Sequence, residues 1–320
     1  MEVAGGESRR ARRARERAVA KEEGVWYPKG FWPTFAAPGT IWIALFFVLP
    51  FYLIFAVAFG TSDLFGNPFP IYQPWFWTDD VFSETLSRIC CGSGAFYVPA
   101  YMRTFTYVGI ASSMCLVIGY AVAYFVARYG GSRKVLFLVL LVAPFWISYL
   151  MRMYAWQSLL TEDGYINKLG TFLHLLAEPV NWQEGKPITV ILGLVYGYIP
   201  YMILPLYAGL DRIDTAMLEA GRDLGASPTK TFLRVTLPLS RQAILAGVVI
   251  VALPMFGDYY TNNMLSNSPR TTMIGNLIDN ALGQQRGGGE AASLVLTLIV
   301  ILIVPLLYYL RSTKRAAEGA

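Results

Sequence analysis

The chain has 320 residues, of which 55% are apolar, 15% aromatic and only 15% charged, with a mean hydropathy of +0.45. A soluble domain carries about 25% charged residues, so this composition excludes a disordered chain, a nucleic-acid-binding tail protein and a disulfide scaffold, and points to a polytopic membrane protein. The net charge of +5 is then a matter of topology, not a footprint for nucleic acid.

Residues 1–34 read as a basic arm, in which Arg9 to Lys21 mix Arg and Glu with Ala, helical or disordered, and suit contact with anionic lipid. A spanning helix needs about 20 mostly apolar residues. Runs free of Asp, Glu, Lys and Arg cover 30–62, 104–127, 135–151, 187–210, 242–257 and 291–310. In the first run Ala56-Val57-Ala58 imitates a signal-peptide cleavage site, but the run is 33 residues long, so it reads as a retained span. The loop over 60–103 is rich in aromatics: Trp75, Phe76, Trp77, Phe82, Phe96 and Tyr97. Cys90 and Cys91 stand there side by side, and a disulfide stays undecided; Cys115, inside the second run, reads as a small core residue. The third run is short and can extend past Arg152 through Tyr154 and Trp156. The 152–186 loop suits a few short interfacial helices. Pro200 and Pro205 in the fourth span and Pro254 in the fifth can break helices, which at membrane depth is tolerated where they line a cavity. Spans three to five therefore read as the walls of a path. The short fifth run can borrow Leu237 to Ser240. The expectation is an all-α membrane protein with six transmembrane helices over residues 35–310 and a tail over 311–320.

Of the 26 Lys and Arg residues, 19 fall in the N-terminal arm, the 128–134 turn, the 211–241 loop and the C-terminal tail. The positive-inside rule puts that side, and with it both termini, in the cytoplasm.

The 211–241 loop reads as two short helices with a corner. Asp214 can cap the first, and Met217, Ala220, Gly221 and Leu224 recur at i, i+3, i+4 and i+7 as one apolar face with Glu219 pointing away. Gly225 falls where a left-handed residue ends the helix; Ser227 and Pro228 begin the second helix, which the pattern predicts to break at Pro238. Read from the residues alone this is either a solvated connector or a rigid knob for a partner.

Glu219-Ala220-Gly221, three residues, Gly225, nine residues, Val235-Thr236-Leu237-Pro238 resembles the EAA motif of ABC importer permeases, with Gly221 for Ala and Val235 for Ile. Gly119-Tyr120-Ala121, Tyr124 to Arg128, Ala143 to Trp146, Arg152-Met153-Tyr154 and Gly164 to Asn167 are similar to the spermidine/putrescine (PotB/PotH-like) branch of that family. The resemblance covers roughly residues 35–310. It implies a type I importer (MetI-like) fold in the inner membrane of a bacterium, a second PotC/PotI-like permease, two ATPase subunits and an extracytoplasmic substrate-binding protein. It also implies ATPase coupling through Glu219, Ala220, Gly221, Gly225, Leu237 and Pro238.

The chain carries no catalytic machinery of its own. A P-loop needs G-x-x-x-x-G-K-[ST]; around Lys230-Thr231 the glycine positions hold Leu224 and Thr229. One histidine, His174, and three cysteines make no metal site or catalytic triad. The expectation is a non-enzymatic subunit without a cofactor, with ATP and Mg bound by partner ATPase subunits.

For the substrate path the candidates are Trp146, Tyr149, Arg152, Tyr154, Trp156, Asp258 and Tyr259, with Tyr260 beside them. Aromatic faces attract ammonium groups, while aromatic belts also occur in any membrane protein. Arg152 reads either as a snorkelling arginine or as a gate or structural ion pair; Asp258 reads either as a helix-end carboxylate or as a group that attracts ammonium. The rivals are permeases for other small organic cations, amino-acid derivatives or phosphonates, an ion-coupled carrier and a scaffold; no clear inverted repeat or buried acidic cluster supports the carrier.

Overall fold

The computed structural model describes residues 31–62, 68–90, 97–266, 268–284 and 287–318. The N-terminal arm up to residue 30, Cys91, Phe96 and Arg286 lie outside the described residues, as does the question of a Cys90–Cys91 pair. The chain divides into two compact units, residues 1–54 and 55–320.

In the first unit the described chain is helical from Phe31, the start of a helix (α1, Phe31–Ala58) that is apolar on every side and carries Pro38 and a π turn at Ala44–Val48. Aromatic pairs one turn apart, Trp42 with Phe46 and Phe47 with Phe51, lie 4.3 and 5.0 Å between ring centroids. A helix that is apolar all round is suited to lipid.

The second unit is almost wholly helical. A two-residue antiparallel pair, β1 (Thr61–Ser62) with β2 (Pro68–Phe69), precedes an amphipathic helix α2 (Asp80–Cys90). The long helix α3 (Val98–Tyr129) follows, and then α4 (Lys134–Val142), a 3-10 turn (Ala143–Trp146), α5 (Tyr149–Leu159) and α6 (Tyr165–Phe172). After α7 (Pro187–Asp211) come α8 (Thr215–Asp223), α9 (Pro228–Leu239), α10 (Arg241–Phe256), α11 (Tyr260–Leu265), α12 (Ile274–Gly283) and α13 (Gly288–Glu318).

The core is the packing of α3 on α7 and of α7 on α10. Ala111, Cys115, Gly119, Ala123 and Ala127 recur every four residues on α3, and all are buried. Small residues at that spacing let two backbones approach, the usual route to helix association in lipid. A Cβ at Gly119 would lie 3.0 Å from Met202 Cγ on α7, and Cys115 Sγ lies 3.7 Å from the Val195 carbonyl. Leu194, Met202, Leu206 and Leu210 fill the other side of that seam with no exposed surface.

By length and composition four helices can cross a membrane unbroken, and two bent pairs bring the number to six if each counts as one span. One pair is the segment over Gly131–Trp146 with α5, bent by 82°; the other is α9 with α10, bent by 62°. One expectation is corrected here. Pro200 and Pro205 do not break their span, because α7 is one helix of 25 residues clamped between α3 and α10. The break falls instead in the third span, where Pro144 heads a 3-10 turn and the chain turns at Ile147 and Ser148.

Candidate functional site

The start of α5, the middle of α7, the end of α10 and the start of α11 line a cavity of about 360 Å³, formed by Tyr149, Arg152, Gly197, Tyr198, Tyr201, Pro254, Gly257, Asp258, Tyr259 and Tyr260. Asp258, only 8% exposed, follows α10, which runs on through Pro254 to Phe256 and ends at Gly257. Its Oδ1 accepts the Thr261 N–H at 2.9 Å, one of the donors left free at the start of α11. Its Oδ2 accepts from Thr261 Oγ1 at 2.9 Å and from Tyr198 Oη at 3.0 Å. Tyr149 Oη lies 3.4 Å from the same oxygen and closer to Thr261 Oγ1, so its single proton serves one or the other. Asp258 is thus a buried helix-end carboxylate held by neutral donors. Those donors satisfy its lone pairs.

Arg152 stands on the same wall. Its guanidinium carbon lies 4.5, 5.4 and 5.6 Å from the ring centroids of Phe145, Tyr149 and Tyr196, and Nε donates to the Ile147 carbonyl at 3.2 Å. Among the described residues no carboxylate lies within ion-pair range of it. Aromatic faces cover the cation.

Of the sequence candidates, Tyr149, Arg152, Asp258 and Tyr259 line the cavity together, with Tyr260 beside them. Trp146, at 78% exposed, and Tyr154 are not among the lining residues. Trp156 packs on Tyr196 at 5.4 Å, against a second small core of Met153, Leu160 and Leu265. Tyr198 and Tyr201 were not singled out in the sequence. Their signal is the run Gly197-Tyr198-Ile199-Pro200-Tyr201, which sets two tyrosines on one helix face beside a glycine. That glycine matters, because a Cβ at Gly197 would meet the Tyr149 ring at 2.9 Å.

The 215–239 element lies apart from this cavity. The Asp214 carboxylate accepts the Ala216 N–H at 3.0 Å and caps α8. The helix ends in a Schellman turn: Gly225 N–H donates to the Arg222 carbonyl at 2.8 Å and Ala226 N–H to the Gly221 carbonyl at 3.1 Å. Gly225 takes φ of +78°, the left-handed region. Ser227 Oγ accepts the Lys230 N–H at 3.4 Å and opens α9. One more expectation is corrected. The second helix does not break at Pro238 but runs to Leu239, because a π turn over Phe232–Thr236 widens the coil ahead of the proline ring. On the apolar face of α8, Met217 and Leu224 are exposed, at 54% and 88%. Glu219, Ala220, Leu237 and Pro238 are also exposed, and Gly221 faces Thr231 and Val235 of α9.

Residues 100–313 match the family described as "Binding-protein-dependent transport system inner membrane component". The spermidine/putrescine transport system permease protein PotB of Escherichia coli (strain K12) is 33% identical over 237 residues, which cover 74% of this chain and 81% of that protein. PotB of Haemophilus influenzae is 33% identical over 237 residues. The inner membrane ABC transporter permease protein YdcU of Escherichia coli is 31% identical over 231 residues, 67% of this chain and 73% of that one. Among solved structures, a bacterial ABC transporter involved in import of the acidic polysaccharide alginate superposes with a TM-score of 0.67 at 19% identity, over 89% of this chain and 96% of that one. The same transporter in complex with a periplasmic protein bound to alginate pentasaccharide gives 0.68 at 17% identity. At these identities the likeness is one of fold.

Proposed function

The chain belongs to the family of binding-protein-dependent transport system inner membrane components, and from that premise we propose that it is the permease subunit of an ATP-driven importer of polyamines such as spermidine and putrescine. It works beside a second, PotC/PotI-like permease. Two ATPase subunits bind ATP and Mg and engage the 215–239 element, and a substrate-binding protein delivers polyamine from outside. Both termini face the cytoplasm, as the distribution of Lys and Arg requires.

One observation carries the substrate reading. Asp258 stands in a wall of tyrosines at 149, 198, 201, 259 and 260, while the one guanidinium there is covered by rings. A flexible chain with an ammonium group at each end is drawn to such faces by about 0.5–2 kcal/mol per contact. The contacts are weak enough to release the substrate onward.

In the mechanism, a loaded binding protein docks outside and ATP draws the ATPase subunits together. That motion displaces the 215–239 element, and the permease pair opens outward, takes substrate and resets after hydrolysis. The test is uptake of labelled spermidine by the assembled importer in proteoliposomes. We expect uptake that needs internal ATP and ignores uncouplers. Loss of uptake on collapsing the ion gradient would point to a carrier, and indifference to every polyamine would overturn the substrate assignment. Cysteines placed over 211–241 should resist an impermeant thiol reagent added to whole cells, and cysteines at 80–85 should react.

A further inference from the structure

The bend between α9 and α10 is held from the side. Ser240, at the bend, has no exposed surface, and its Oγ donates to the Leu237 carbonyl at 3.1 Å. That uses the one hydroxyl proton of Ser240. The Tyr120 hydroxyl of α3, 2.9 Å from Ser240 Oγ, is therefore the donor in the second bond. Two turns earlier on α9, Phe232 sets its ring edge-on to Tyr120 and to Tyr124, at 5.7 and 5.8 Å and close to perpendicular. Tyr120 and Tyr124 lie one turn apart on α3, next to the small residues Gly119 and Ala123 that seat α3 on α7.

We infer that Tyr120 is a positioning residue for transport, the clasp through which the 215–239 element moves α3 as well as α10. Without it, the bend itself has no hydrogen bond to α3 among the described residues, and α9 reaches that helix only through Phe232 on Tyr124, eight residues from Ser240. With it, a push on α9 reaches α3 at two points, the Ser240 hydroxyl and the Phe232 ring. From α3 it passes across the stripe of small residues to α7, the helix that carries Gly197, Tyr198 and Tyr201 of the cavity. A tightly packed seam moves as a body rather than deforming, so displacement at one end appears at the other. The inference rests on the proposed role of the 215–239 element as the contact with ATPases.

The test measures spermidine imported per ATP hydrolysed in the assembled importer, for Tyr120→Phe, Ser240→Ala and the double variant. Tyr120→Phe keeps the ring against Phe232 and removes the hydroxyl alone. We expect each single variant to assemble, to keep its KM for ATP, and to lower the transport ratio by about three- to tenfold. The double variant should be no worse than Ser240→Ala, because that substitution already removes the bond from Tyr120 along with the one to the Leu237 carbonyl. Tyr120→Ala, which also removes the ring, should fall further. An unchanged ratio in both single variants would overturn the inference. Failure of Tyr120→Phe to assemble would overturn it too, since the hydroxyl would then serve the fold. The Gly225→Val variant separates this result from the premise. If Gly225→Val uncouples the importer while Tyr120→Phe and Ser240→Ala do not, the clasp alone is refuted; if Gly225→Val leaves coupling intact, the role of the element itself is refuted.

Discussion

Asp258, just past the end of α10, and Glu219, in the middle of α8, are both acidic residues, and the fold treats them in opposite ways. Asp258 is buried, and neutral donors from α5, α7 and α11 take up its oxygens. Glu219 is exposed and makes no ion pair among the described residues. An acid saturated from within belongs to the wall it stands in. An acid left in solvent on a rigid, capped helix is available to a second chain. The cavity and the 215–239 element differ in the same way. The cavity is assembled from distant parts of the chain, whereas the element is built locally and left in solvent.

The strongest way to break this contrast is at Gly225. Its φ of +78° suits glycine, and a β-branched residue there would face a clash with its own backbone. No atom lies near enough to object to the added side chain, so the effect comes from the backbone alone. The strain is on the order of 1–2 kcal/mol. That is too little to unfold a membrane-embedded core but enough to reorient α8 against α9. We expect Gly225→Val to reach the membrane at normal levels, and to lose at least tenfold of transport and of ATPase stimulation by the loaded binding protein. Normal transport would mean that the corner is an ordinary connector.

Next in size is the carboxylate of the cavity. Asp258→Asn keeps the shape but replaces one acceptor oxygen by an amide that donates. Its Oδ1 still accepts the Thr261 N–H, and the amide nitrogen takes the place of Oδ2, where the hydroxyls of Thr261, Tyr198 and Tyr149 must turn and accept. Losing their present bonds costs about 0.5–1.5 kcal/mol each, so melting temperature should fall slightly and spermidine uptake by about tenfold. Unchanged uptake with a lowered melting temperature would leave Asp258 as a purely structural cap. A smaller effect is expected at Gly197. A Cβ there presses on the Tyr149 ring at 2.9 Å, and that ring is the far end of a side chain able to shift. Gly197→Ala should lower uptake a few-fold through KM for the loaded binding protein or substrate, with basal ATPase activity kept.

The contrast also explains what could be read in the sequence. The element was legible because its bonds are short-range: Asp214 to Ala216, Gly225 to Arg222, Ser227 to Lys230. A helix cap is written in the residues that make it. The cavity was only half legible because its bonds join residues 60 and 109 positions apart in sequence. Tyr149, Asp258 and Tyr259 stood out by type, but nothing local brought Tyr198 to them or took Trp146 and Tyr154 away. The proline readings failed for the same reason. Pro200 and Pro205 sit in the helix that is packed on both sides, where neighbours hold the axis straight. Pro144 sits where the chain is free to turn. The small residues on α3, spaced by four, were a readable signal for the central seam that an apolar run conceals.

The last and smallest effect concerns Gly221, where the chain departs from the family motif it resembles. If the exposed element were tuned as tightly as the cavity, this position would reject any side chain. The geometry says otherwise. A Cβ on Gly221 would lie 3.6 Å from Thr231 Cγ2 and 3.9 Å from Val235 Cγ2, both ordinary contacts. Gly221 has no positive φ, and it stands inside a helix, where alanine is favoured over glycine by about 0.5–1 kcal/mol. Gly221→Ala should therefore raise stability slightly and leave transport within twofold of the parent. A residue with a longer side chain, as in Gly221→Leu, must push α8 off Thr231 and Val235 and should uncouple the importer. If Gly221→Ala alone abolished transport, the groove between α8 and α9 would need to close more tightly during the cycle than it does here. The difference between a tuned cavity and a merely exposed element would then no longer hold.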